Sequence, residues 1–168
     1  VYVVDLNTGR DEPAFTRWED ESGWYGYGRT AISSQYVVAR RCNTDVEESP
    51  CRMVAKPIDD LTAQEFILDE ETGQTNIGGV DVYDEWAVWG RRKLSTDTYE
   101  LVAHNIETGE NRILDTDERG CTPIRARVWG DRAYWVTGCG EIREQVLETG
   151  ETRTILTNPA FGYMSMFS

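Results

Sequence analysis

Lysine and histidine are nearly missing from this 168-residue chain: Lys56 and Lys93 are the only lysines, and His104 is the only histidine. A single histidine leaves one possible base for a Ser-His-Asp relay, and no Gly-x-Ser-x-Gly elbow accompanies it. His104 falls inside a predicted strand and reads as a packing residue. No apolar run approaches the roughly 20 residues a membrane-spanning helix requires. A glycine-rich phosphate loop, an Asn-x-Ser/Thr acceptor and a two-residue cysteine spacing of the zinc-ribbon kind are all absent. Apolar residues never sustain a three-and-four spacing, which leaves helix with little support. Bases are outnumbered 17 to 30 by acids, for a net charge of −13. Such a field repels a phosphate backbone and excludes nucleic acid as the expected partner.

Aromatic and apolar residues are plentiful. Hydrophobic residues make up 39% of the chain, with 6 Trp and 8 Tyr, too much to leave it disordered. The length suffices for one domain with a core. The chain begins at Val1 rather than Met, which reads as a mature protein or a piece of a longer one.

Polar turns recur in two interleaved series. The first comprises Asn7-Thr8-Gly9, Asp59-Asp60-Leu61-Thr62, Glu107-Thr108-Gly109 and Glu148-Thr149-Gly150; the second comprises Ser33-Ser34, Asp84-Glu85 and Gly130-Asp131. Each series repeats at about 40 to 50 residues, the period of four-stranded propeller blades. Dense apolar runs follow the second series: Tyr36 to Ala39, Trp86 to Trp89 and Ala133 to Val136. Runs without alternation mark strands buried on both faces, as stacked blades require. The segment Leu61 to Leu68 is read as a turn and a strand. The expected class is therefore all-β: a β-propeller of four-stranded antiparallel blades. A half blade is expected at 1–16, blades at about 29–69, 77–116 and 121–157, and the first strand of another at 161–167. These pieces do not close a ring, so the expected architecture is an incomplete propeller belonging to a larger one.

At its turns the chain resembles the TolB-like, WD40-like bacterial β-propeller repeats. The resemblance is carried by Val3-Val4-Asp5-Leu6-Asn7-Thr8-Gly9-Arg10, by Asn105-Ile106-Glu107-Thr108-Gly109-Glu110 and by Leu147-Glu148-Thr149-Gly150-Glu151. The second blade departs from it, since Asp59-Asp60-Leu61-Thr62 lacks the glycine, and the Trp-Asp ending of WD40 repeats does not recur. The resemblance implies the fold. It also implies a role as an interaction platform, with lyases, lactonases, other hydrolases and enzyme-gating domains as alternatives.

The four cysteines form two candidate disulfides. Cys42 and Cys51 flank a short loop. Cys121 and Cys139 flank a hairpin turning near 130 and 131, where opposed residues sum to about 261 in number, so these two face each other. Two stable disulfides point to a periplasmic, extracellular or cell-surface location. Every insertion falls at one end of the blades, where binding loops on rigid scaffolds concentrate. The segment Arg17 to Gly28 carries Trp18, Trp24, Tyr25 and Tyr27, the candidate binding surface. Trp86, Trp89, Trp129 and Trp135 are expected in the core. Asp115 to Gly120 has the start of a calcium loop without its third spaced acid or distal Glu, so calcium is the one cofactor worth naming and none is expected. No catalytic residue is assigned. The expected function is a non-catalytic, secreted or envelope module that binds a protein or polymer partner, as a subunit of a larger assembly.

Overall fold

The computed structural model describes residues 1–5, 7–16, 18–20, 23–43, 45, 51–72, 79–93, 96, 98–117 and 121–158; for 18–20, 23–25, 70–72, 92, 93 and 124 it describes the backbone alone. The expected strand at 161–167 lies outside the described residues, as does most of the loop between Cys42 and Cys51. Among the described residues every regular element is a strand, and no helix is long and apolar enough to cross a membrane.

Four antiparallel sheets stand side by side. The first is a two-stranded piece, β1 (Tyr2–Val4) with β2 (Asp11–Pro13). The second runs in the order β3 (Trp18–Asp20), β4 (Gly23–Ile32), β5 (Tyr36–Asn43), β6 (Cys51–Pro57), β7 (Phe66–Thr72). The third contains β8 (Asp81–Tyr83), β9 (Trp86–Lys93), β10 (Thr98–Asn105) and β11 (Asn111–Thr116). The fourth contains β12 (Pro123–Trp129), β13 (Arg132–Thr137), β14 (Glu141–Val146) and β15 (Thr152–Thr157).

The unalternating apolar runs are explained by this stacking. In β5, Val37 and Ala39 pack in a cluster with Phe15 and Leu61, while Val38 packs with Val82, Ala87 and Trp89 of the next sheet. In β9, Trp89 faces that second cluster while Trp86 and Val88 join a third with Ala133, Trp135 and Leu147. Each inner strand thus serves two cores at once, and burial of its successive side chains drives sheet against sheet.

Three of the turns between third and fourth strands are copies of one device. Gly9, Gly109 and Gly150 take φ of +69°, +74° and +75°, a conformation open to glycine at no steric cost. Their amides donate to Asp5 O, Asn105 O and Val146 O, and the Thr8, Thr108 and Thr149 hydroxyls each accept an amide from two residues on, at 3.3 Å. The turn of the second sheet differs. Asp60 Oδ1 accepts both the amide and the hydroxyl of Thr62, at 3.1 and 2.6 Å, and Leu61 turns inward to be buried.

Both disulfides are formed. Cys42 and Cys51 are direct cross-strand partners, 4.2 Å apart at Cα. Cys121 and Cys139 are 5.1 Å apart. A register shift between Pro123 and Arg125 moves the pairing by one residue, so that Pro123 faces Thr137. That shift places Cys121 opposite Cys139.

Two expectations need correction. The sheet expected over 29–69 extends from Trp18 to Thr72 and gains a fifth strand: the Trp- and Tyr-rich stretch read as a loop pairs as a hairpin, because such residues favour strands once a neighbour supplies the ladder. A bulge at Arg29, with φ +52°, joins this hairpin to the body of β4. Trp129, expected in the core, is 70% exposed. It ends β12 at the edge of the preceding sheet, where its ring lies 4.9 Å from that of Tyr83.

Candidate functional site

Between consecutive sheets the chain repeats an aromatic, a carboxylate and an arginine. At the interface of the second and third sheets, Trp89 Nε1 donates to Asp69 Oδ2 at 3.3 Å, and Arg91 reaches the same oxygen at 2.8 Å and Glu100 at 2.8 Å. Burial works against the Arg91 charge, but its hydrogen bonds to these two carboxylates outweigh that and raise its pKa. At the next interface Trp135 Nε1 donates to Asp115 Oδ2 at 2.6 Å, and Arg143 bridges Asp115 and Glu141. In both cases the aspartate stands 20 residues before its tryptophan. Asp115 is thereby committed to packing, and Glu118 to Gly120 of the partial calcium loop lie outside the described residues. Among the described residues no group of three or more His, Cys, Asp or Glu side chains is arranged to hold a metal ion.

The first interface breaks this pattern at three positions. Register places Ala39 of β5 where β9 has Trp89, since each lies opposite the same point of its sheet (Ala39 against Thr30 and Val54, Trp89 against Val102). Counted seven residues from the turn threonines, Asp69 and Asp115 correspond to Phe15. The glycine turn is replaced by the longer connection from Ile58 to Glu65. A related set forms within the second sheet instead: Tyr27 hydroxyl donates to Glu65 Oε2 at 3.0 Å, and Arg41 forms an ion pair with Glu65. Arg41 occupies the strand position of Arg91, two residues beyond the aromatic site. The rings of Phe15 and Tyr27 stack at 4.9 Å.

Phe15 is bulkier than an aspartate and covers Ala39, which is wholly buried with it in one cluster. A cleft of about 530 Å³ lies here, lined by Phe15, Thr16, Tyr27, Arg41, Lys56, Glu65 and Ile67, with Thr62, Ala63 and Gln64 of the connection. Lys56 Nζ donates to Leu61 O at 3.1 Å and stands 5.8 Å from the centre of the Phe15 ring. The cleft combines two cations, one carboxylate, amide and hydroxyl groups and an aromatic wall, the mixture that orients a ligand in a partly apolar pocket.

Tyr27 belongs both to this cleft and to the aromatic hairpin. Pairing of β3 with β4 sets Trp18 against Tyr25 and Glu19 against Trp24. Tyr25 and Gly26 in turn pair with Asn43 and Cys42, so the hairpin lies beside the end of β5 that carries the first disulfide. Of the four residues in the candidate surface, the structure assigns Tyr27 a packing contact as well as an exposed edge; for Trp18, Trp24 and Tyr25 it fixes the backbone. Phe15, Arg41, Lys56 and Glu65 were not singled out by sequence. The signal that could have found them is the missing glycine of the Asp59 to Thr62 turn. His104 is buried, its Nδ1–H donating to Asn111 Oδ1 at 2.8 Å and its ring 6.0 Å from that of Trp89, a packing position.

No family model matches the chain, and no curated protein matches it in sequence. Solved structures do. TolB from Acinetobacter baumannii superposes with a TM-score of 0.56 at 12% identity, over 94% of this chain and 37% of that one. The AtxE2 isopeptidase, solved as the S527A variant with astexin3-dC4 bound, gives 0.56 at 15% identity, over 94% and 25%. The computationally designed protein Ika4 gives 0.50 at 18% identity, over 80% and 74%. This chain thus spans about a third of TolB and a quarter of the isopeptidase. At such identities the likeness speaks for the fold alone: the chain is a β-propeller segment, similar in construction to TolB.

Proposed function

We propose that this chain is a binding and assembly segment of a secreted or cell-envelope propeller, taking a protein or polymer partner at the aromatic hairpin and the cleft that shares Tyr27 with it. The observation that carries this reading is the coincidence of departures from the repeat. Sheet packing alone asks for the Trp–Asp pair used at the other two interfaces; Ala39, Phe15 and the lengthened turn give it up in one place, beside the aromatic run of Trp18, Trp24, Tyr25 and Tyr27. Local rules are broken where function has a use for it. The disulfides support an oxidising compartment.

The test is differential capture. The immobilised chain is exposed to the secreted and envelope fractions of its source cells, alongside Trp18→Ala and Trp24→Ala variants. A partner retained by the parent and released by both variants, with unfolding midpoints unchanged, supports the proposal. Equal retention by all three, or none by the parent, removes it.

A further inference from the structure

We infer that the cleft beside Phe15 is a receptor for an aromatic side chain, an indole foremost, presented by a partner polypeptide; this deepens the binding role proposed above and rests on it. The other two interfaces show what the fold places at this point: an indole from the second strand, its N–H on a carboxylate that an arginine holds. At the first interface the indole position is Ala39, wholly buried in a cluster with Phe15, which itself stands at the aspartate position, while a carboxylate–arginine pair, Glu65 with Arg41, stands beside them in the second sheet. The cleft lining holds a carboxylate and an arginine but no tryptophan.

The walls suit a ring from outside. Phe15 and Tyr27 supply aromatic surface, and Ile67, 40% exposed, and Ala63 form an apolar rim. Glu65 accepts from Tyr27 and Arg41, and a carboxylate with about four lone-pair sites keeps room for one indole N–H more. Lys56, already 5.8 Å from one ring centre, sits where a second ring beside Phe15 would share its charge. A volume of about 530 Å³ admits an indole with its backbone attachment.

The probe is N-acetyl-L-tryptophanamide, titrated into the isotopically labelled chain and followed by resonance shifts, with N-acetyl-L-leucinamide and N-acetyl-L-glutamate amide in parallel. Saturable shifts at Tyr27, Ala63 and Ile67 are expected, with a dissociation constant of about 0.1 to 1 mM, and at least tenfold weaker effects from the other two. Ala63→Trp fills the cleft from the connection and should abolish binding; Ile67→Glu, at the exposed rim, should do the same should the first variant fold poorly. Glu65→Gln should weaken the tryptophan probe more than N-acetyl-L-phenylalaninamide, which has no N–H on its ring. No saturable shift, tighter binding of the glutamate probe, or binding unchanged in the folded cleft variants would overturn the inference. Should the probe fail while Trp18→Ala and Trp24→Ala still release a partner, the binding role stands and the aromatic receptor falls.

Discussion

Trp135 and Trp129 are six residues apart and have opposite environments: 1% and 70% exposed. Replacing Trp135 with Phe removes the N–H that Asp115 accepts and leaves a half-buried carboxylate short of a donor, so a loss of about 1 to 3 kcal/mol is expected in denaturant unfolding. Trp129→Phe should stay within about 0.5 kcal/mol. Glu144 offers a test by pH. Burial pushes its pKa up, but hydrogen bonds and charges from Arg153 and Arg132 prevail and hold it below the ordinary 4.5. A carboxylate whose folded pKa is depressed lends stability above the unfolded value and loses it as pH falls through the folded one. Thermal midpoints of the parent should therefore drop below about pH 4.5, and those of Glu144→Gln should drop less over the same interval; parallel curves would contradict this assignment.

The hairpins were legible because their chemistry is local. A Thr-Gly pair between flanking apolar runs specifies a turn without help from distant residues, and three turns follow that rule, two of them with a polar residue (Asp5, Asn105) four positions before the glycine. Gly109 has open space where a Cβ would stand, so Gly109→Ala isolates the cost of its φ of +74°; about 1 kcal/mol is expected. The cross-strand position of Cys121 and Cys139 was also legible, from counting outward from the turn. Breaking that pair by Cys121→Ser with Cys139→Ser should cost about 3 kcal/mol by the loop-closure relation, measured against the parent under oxidising conditions, with no difference once both are reduced. The strand nature of Trp18 to Gly28 was not legible. Its residues favour strand or loop equally until β5 offers Arg40 to Asn43 as partners, and that offer is a long-range event.

Across the whole molecule, two interfaces are each bridged by an aromatic–carboxylate–arginine set, and the first is instead spanned by the stacked rings of Phe15 and Tyr27. This makes a coupling prediction. Phe15→Asp alone leaves a carboxylate without its indole, and Ala39→Trp alone forces a large ring against Phe15; each should cost more than about 2 kcal/mol. The double variant recreates the pair of the other interfaces, and a double-mutant cycle should return a favourable coupling of at least about 1 kcal/mol. Additive losses would mean that the correspondence of Ala39 with Trp89 is only one of number.

Periodicity, turn chemistry and cysteine spacing, all properties of residues near one another along the chain, determined that this is a propeller segment with two disulfides. The cleft was decided in three dimensions. Phe15, Tyr27, Arg41, Lys56 and Glu65 are scattered over fifty residues and carry no shared motif; strand pairing gathers the last four in the second sheet, and packing of the first sheet brings Phe15 against Tyr27. Volume left between packed faces is a difference between large sums over many neighbours, and no local pattern encodes it.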